Sequence, residues 1–408
     1  MKIKKLLQAL GPGLLFAGAA IGVSHLVNAT HAGAEYGWGL LWALVIVHIV
    51  KYPFFEFGAR YANATGESLL EGYAKIHRGT LVGFFIINLL SMFTIQAAVT
   101  LVTAGLAMNI FGIEGSPMLV STVLTIATFS ILLIGKYSLL DKIMKYVIIL
   151  LTLTTLAALA TATCTSTNTQ DFSQKLLFEG SEIAFLIAFL GWMPAPLDVS
   201  IWQSLWSEAK QKQSTKPRSL QTTVFDFNIG YITTLVLGAC FLGMGAMVMF
   251  HSNEPLASGA LGFCKQLIEI YTKNIGSGAF IFIAVASFTT MFSTNITAMD
   301  ASPRAMQKTM ALLTNKTKKS SYVLWLVFLG LGTLLIISFF TQHMLALIKV
   351  ATIISFLAAP FFAILNYKLV NSSHTPESHK PSKLLNGGAI FGIVFLIAFS
   401  IWYLITLI

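Results

Sequence analysis

Apolar residues run through this chain in long stretches, not in the short alternation of a half-buried surface element. Read between their charged and polar breaks, they predict eleven helical spans, at about 10–36, 38–60, 80–110, 117–137, 143–164, 181–206, 225–250, 276–301, 321–341, 344–368 and 387–407. Each reaches the ~20 residues that a helix needs to cross a hydrocarbon core. The polar intervals around Thr165 to Gly180, Ser207 to Thr223, Ser252 to Lys273 and Ser302 to Ser320 are too short to hold a soluble domain. Asn371 to Lys383, rich in Ser, His, Pro and Lys, predicts a linker ahead of the last span. The expected architecture is an all-α polytopic membrane protein. It has a core over 1–369, a cytoplasmic linker over 370–386 and a peripheral eleventh helix over 387–408.

Two spans depart from the pattern in the same way. In the first, Gly11, Pro12 and Gly13 lead to Gly18 and Gly22, and the polar run Ser24, His25, Asn28, Thr30 and His31 follows. In the sixth, Gly191-Trp192-Met193-Pro194-Ala195-Pro196 sits in mid-span ahead of Asp198 and Ser200. Two prolines so close remove two backbone donors and interrupt the helical ladder. Irregular backbone at that depth survives only where protein buries it or a cavity solvates it. Span six also opens a second set of five, so the segments 10–165 and 181–368 start with equivalent interrupted helices. An odd-numbered unit inverts its copy, which is the pattern of transporters with a midplane site at paired broken helices. Kinks that only help helices pack are the other reading of the same glycines and prolines.

Composition narrows the class. Hydrophobic residues make up 56% of the chain and charged residues 10%, which excludes a water-soluble fold. With the N-terminus inside, 21 of the 26 basic residues fall on the cytoplasmic side, so an inner-membrane protein with its C-terminus outside is expected. The net charge of +10 is dispersed over six segments between spans, so it fits topology and anionic lipid and not nucleic acid. Met1 to Lys5 resembles a signal n-region, but no small-residue cleavage pattern follows, and a retained first span is expected. Cys164, Cys240 and Cys264 have no metal-ligand spacing, and a disulfide between Cys164 and Cys264 is the lesser reading. No Ser/His/Asp or His/Glu metal spacing points to an enzyme, and no appended domain points to a sensor or scaffold. A secondary transporter without a cofactor remains. Its partners are a small ion or solute and the lipid; a monomer is compatible, and the oligomeric state stays open.

The candidate residues follow from position and cost. An acid within a span costs ~2.5–3.5 kcal/mol at a helix centre, so Asp198 reads as an ion ligand, proton carrier or gate. A hydrogen-bonded acid beside Trp202 or Ser200 is the bland alternative. Gly22, Ser24 and His25 lie at the first break, and imidazole both binds metals and titrates near neutrality. His31, two turns on, suits a vestibule or simple packing. Met193 is either a soft metal ligand or a gap filler. Lys51, Glu56 and Arg60 read as an ion-pair cluster near the cytoplasmic end of span two. Asp300 with Arg304 suits the end of span eight, and Lys349 in span ten needs a partner or a water-filled cavity.

Short motifs in order then point to a family. Gly11-Pro12-Gly13, Ala32-Gly33-Ala34-Glu35-Tyr36-Gly37, Leu40-Leu41-Trp42, Ala64-Thr65-Gly66-Glu67-Ser68-Leu69, Met193-Pro194 and Ser293-Thr294 together resemble the NRAMP proton-coupled divalent-metal transporters. The resemblance implies a LeuT-like fold of two inverted five-helix repeats and a cargo such as manganese or iron. It implies His25 and Met193 as candidate metal ligands, to which Asp198 is added as the acid within the sixth span. The departures are specific. Gly22-Val23-Ser24-His25 stands where the family has Asp-Pro-Gly-Asn, and Met193-Pro194-Ala195 where it has Met-Pro-His. Gln96 and Val99 stand where it has the acids of its proton path. An anion or small organic solute carried by the same fold is the competing expectation.

Overall fold

The computed structural model describes residues 10–134, 137–165, 172–173, 180–213, 218–250, 257–275, 280–316 and 320–406, and among them there is no strand. The first predicted span is α1 (Pro12–Ala20), a π-helical turn (Ser24–Ala29) and α2 (Thr30–Tyr36). Then come α3 (Leu41–Thr65), the short α4 (Leu69–Ile76), α5 (Arg78–Phe111), α6 (Pro117–Ile134) and α7 (Tyr137–Thr165). The sixth span is split into α8 (Gly180–Trp192) and α9 (Val199–Gln213). It is followed by α10 (Leu220–Met244), α11 (Ala260–Ile275), α12 (Phe280–Thr314), α13 (Ser320–Phe340), α14 (Met344–Val370) and α15 (Lys383–Thr406). The eleven expected spans are thus present, two of them broken where expected.

Seven runs of the described residues are long and apolar enough to cross a membrane unaided, the first being Ser24–Thr65. That run bends at Gly37, whose φ of 58° is a conformation glycine adopts without strain. The chain therefore returns on itself, and His25 and His48, on opposite sides of the bend, both reach Thr234 of α10. Proline 53 lies within α3 and Pro303 within α12, and both helices continue through them.

The core gathers the broken helices at its centre. α10 packs on α1 and α3, α9 on α1 and α3, α12 on α5, and α14 on α8 and α5. The periphery has the opposite character. Leu119, Val123 and Ile126 of α6 and Leu324, Leu331 and Phe339 of α13 are exposed, as lipid-facing side chains must be. α11 buries Phe263, Cys264, Leu267 and Ile268 against α5 and α7, so it lies on the bundle as an amphipathic helix. α15 packs on α14 and α3, and the segment before it is tied down where the Arg60 guanidinium donates to the His379 carbonyl at 2.9 Å.

Candidate functional site

The first break starts where α1 stops at Ala20 and Ile21 turns out of helical geometry, with ψ at 83°. Gly22 follows because a side chain there would press on Thr294 of α12, whose Cγ2 lies 2.9 Å from the place a Cβ would take. The Thr294 hydroxyl in turn donates to the Gly18 carbonyl at 2.9 Å, one of the acceptors that the interrupted ladder leaves free. Ser24 Oγ lies 2.7 Å from the Ala20 carbonyl and 3.5 Å from the Pro194 carbonyl of the other break. His25 is fully buried, and both of its ring nitrogens are engaged. Nε2–H donates to the Thr234 carbonyl at 3.0 Å, and Nδ1 is 2.7 Å from Ser24 Oγ.

The second break spans Met193 to Asp198, between α8 and α9. The last carbonyls of α8 have lost their helical donors, and a side chain from another helix supplies replacements. Lys51 Nζ donates to the carbonyls of Leu190 at 2.7 Å, Gly191 at 2.7 Å and Ala195 at 3.2 Å. All three ammonium donors are used, and Lys51 is 0% exposed. Met193 is buried beside this cradle, and the Trp192 indole is pinned to Ser355 of α14 at 2.9 Å. Asp198 opens α9 and lines a small cavity of its own with Ser91, Leu197 and Ser355, where its Oδ1 is buried without a hydrogen-bond partner.

Between the two breaks lies a narrow chamber of about 30 Å³, lined by Ala20, Ser24, Val99, Trp192, Trp202 and Thr294 among others. Behind it a neutral network joins α5, α6 and α12. Gln96 Nε2 and Thr100 Oγ1 donate to Asn295 Oδ1 at 2.8 and 2.7 Å, and Asn295 Nδ2 donates to Thr128 at 3.0 Å. Two wider cavities flank the chamber along the bundle. One, of about 310 Å³, holds His31, Glu35 and Lys349, with His31 2.9 Å from Glu35. The other, of about 670 Å³, lies at the end of the bundle that gathers Lys212, Arg304, Lys308 and Lys316, hereafter the basic end.

Of the residues singled out from sequence, Gly22, Ser24, His25 and Met193 converge on the breaks, and Asp198 stands one cavity away. The expected cluster of Lys51, Glu56 and Arg60 is divided. Arg60 clamps Glu56 through Nε and Nη2, at 2.9 and 2.6 Å. Lys51 is five residues from Glu56, about 140° around the helix, and so serves a different neighbour. Asp300 pairs with Arg304 at 2.6 Å and accepts from the Tyr322 hydroxyl at 2.7 Å. The three cysteines are free, Cys164 exposed and the other two buried, so Cys164 and Cys264 form no disulfide. Sequence reasoning places Asp226 near a span end but misses its role: it accepts from the backbone N–H groups of Gly11 at 2.9 Å and Gly13 at 3.2 Å and so caps α1.

The natural resistance-associated macrophage protein-like (Nramp) family model matches residues 13–406. The chain belongs to the Nramp family. A protein of Pasteurella multocida, described only as uncharacterized, is 34% identical over 97% of this chain and 92% of its own length. The divalent metal cation transporter MntH of Staphylococcus aureus is 26% identical over 63% of this chain and 58% of its own. In fold, a manganese transporter of Eremococcus coleocola matches with a TM-score of 0.75 at 15% identity, over 98% of this chain and 86% of that one. Mhp1, a nucleobase-cation-symport-1 family transporter, matches at 0.61 with 14% identity, over 96% of this chain and 92% of its own. This Nramp chain is therefore an integral membrane protein with the LeuT-like architecture and broken first and sixth spans. Its breaks carry no carboxylate of their own except Asp198. Among the described residues no group of three or more His, Cys, Asp or Glu is placed to hold a metal.

Proposed function

We propose that this Nramp protein is a secondary transporter that moves a divalent metal cation across the inner membrane by alternating access. One observation carries the reading: the two helix breaks meet at a narrow chamber, with Ser24 Oγ 3.5 Å from the Pro194 carbonyl. Backbone carbonyls at both breaks, once released by Thr294, Ser24 and Lys51, and the Met193 thioether are donors suited to a borderline-soft dication. In this arrangement His25 is bonded to Ser24 and Thr234 and Asp198 lies in its own cavity, so they act on metal in another state of the cycle. The basic end faces the cytoplasm, with the N-terminus, and the cavity of His31, Glu35 and Lys349 is the outer vestibule. Arg60 with Glu56 and Arg304 with Asp300 serve as ties of the moving helices.

The test is manganese uptake into proteoliposomes with the membrane potential clamped, across outside pH of about 5.5 to 8, which brackets an unperturbed histidine. Uptake that falls at low pH is expected, because Gln96 and Val99 cannot carry protons and His25 and Asp198 lie close to the cargo. Acceleration by an inward proton gradient, with protons moving alongside metal, would refute that coupling. Absence of any metal flux would refute the cargo. A second reading, in which the same fold carries an anion or small organic solute, is favoured by the ammonium of Lys51 at the α8 break, a positive charge where a dication would be repelled.

A further inference from the structure

A ring of three backbone carbonyls around one buried ammonium is the coordination that a bound monovalent cation receives. Leu190 and Gly191 offer the free acceptors of a helix C-terminus, the end that carries the negative pole of the helix dipole, and Ala195 closes the ring from the crossing segment. Lys51 comes from α3, a different helix, and reaches this ring with no exposure to solvent. The charged or titratable groups within electrostatic reach are Asp198 on the same broken span and His48 on α3. Asp198 is the single acid among them, and its unpartnered Oδ1 leaves it as diffuse counter-charge and not as a direct partner of Lys51. A burial so costly in desolvation, with no carboxylate in contact, requires that the carbonyl ring itself attract a cation.

From this we infer that the break of α8 is a monovalent-cation site which the chain fills with its own Lys51, in place of a free cation that would otherwise travel with the cargo. The inference deepens the transport reading and rests on it only for the second measurement below. It also separates Lys51 from Lys349, which lines the outer vestibule and touches neither break. Removing the tether opens the site. In Lys51→Ala the ring takes a small monovalent cation, best one that supplies the same three donors.

Thermal unfolding of the purified full-length protein decides the site without reference to cargo. Wild type is expected to melt at the same temperature in methylammonium, potassium or the bulky N-methylglucamine. Lys51→Ala is expected to melt lower in N-methylglucamine and to regain about 3 °C, saturably, in methylammonium or potassium. Equal melting of the variant in all three salts would overturn the inference. If Lys51→Ala yields no folded protein, Lys51→Gln, which keeps two donors without the charge, is purified in methylammonium and dialysed into N-methylglucamine. Loss of melting temperature on dialysis supports the site, and no change overturns it. The second measurement is manganese uptake, which in the variant should come to depend on the monovalent cation and respond to its gradient, while wild type does not. Thermal rescue without that dependence also overturns the inference and reduces Lys51 to a helix cap. If wild type moves no manganese at all, the proposed function fails and the melting curves alone decide the cation site.

Discussion

At the scale of single residues, the chemistry of this protein depends on partners far away in sequence. Asp226 accepts from Gly11 and Gly13 across more than two hundred positions, and Lys51 reaches the α8 break across about one hundred and forty. Neither contact has a local signature. By contrast, Gly22, Ser24, His25 and Met193 were legible because Gly, Pro and polar residues inside an apolar run announce a break whatever packs against it. Asp198 was legible as an unusual acid, but not its separate cavity, since its direction depends on how α9 leaves the break. Two expectations follow. His25→Ala and Asp198→Asn should each lower uptake about tenfold or more at matched folded expression, a loss worth ~1.4 kcal/mol, while His31→Ala stays within about twofold. Equal activity of all three would assign those side chains to packing. Asp226→Ala leaves two buried N–H groups at the start of α1 unmet and should cost about 1–3 kcal/mol, read as a fall in melting temperature with the bilayer topology unchanged.

Helices meet at the basic end through one lysine. Lys308 of α12 lies 2.9 Å from Glu71 of α4 and 2.7 Å from Glu208 of α9, and so joins three elements. Glu71 also completes the α4 capping box, accepting from the Ser68 backbone at 2.7 Å. Burial would raise the Glu71 pKa, but the hydrogen bond and charge of Lys308, with Ser68, outweigh it and hold the group below its ordinary value. A depressed carboxylate pKa contributes stability that is present above the unfolded value and lost as pH falls through the folded one. The junction should therefore hold at neutral pH and loosen below about pH 4.5, the ordinary value of a glutamate. Melting temperature against pH, from about 6 to 3.5, should fall more steeply in wild type than in Glu71→Gln, and parallel curves would remove the tie. The sequence contains the capping box of Ser68 and Glu71 at local spacing, although it was not singled out there. It gave no sign that Lys308 would share the same carboxylate.

For the molecule as a whole, the span pattern and the basic-residue asymmetry were legible from the start, because hydropathy and charge act along the chain without regard to folding. The bend at Gly37, the neutral network around Asn295 and the narrowness of the chamber were not, since each belongs to the packed bundle. Topology has a test already present in the sequence. Cys164 is exposed and at the end of α7 opposite the basic end, whereas Cys240 and Cys264 are buried. An impermeant maleimide should therefore label Cys164 in intact cells, and a cysteine placed at Lys212 of a cysteine-free variant should react only after the membrane is opened. Labelling at 212 in sealed cells would invert the orientation. The chamber has one more consequence. A space of about 30 Å³ has room for one or two waters at most. A dication normally wears six, so cargo must shed nearly all of its hydration shell before it can sit between the breaks. Magnesium gives up water reluctantly. The protein can therefore sort an abundant ion from a scarce one by how readily each undresses, before any ligand has chosen between them.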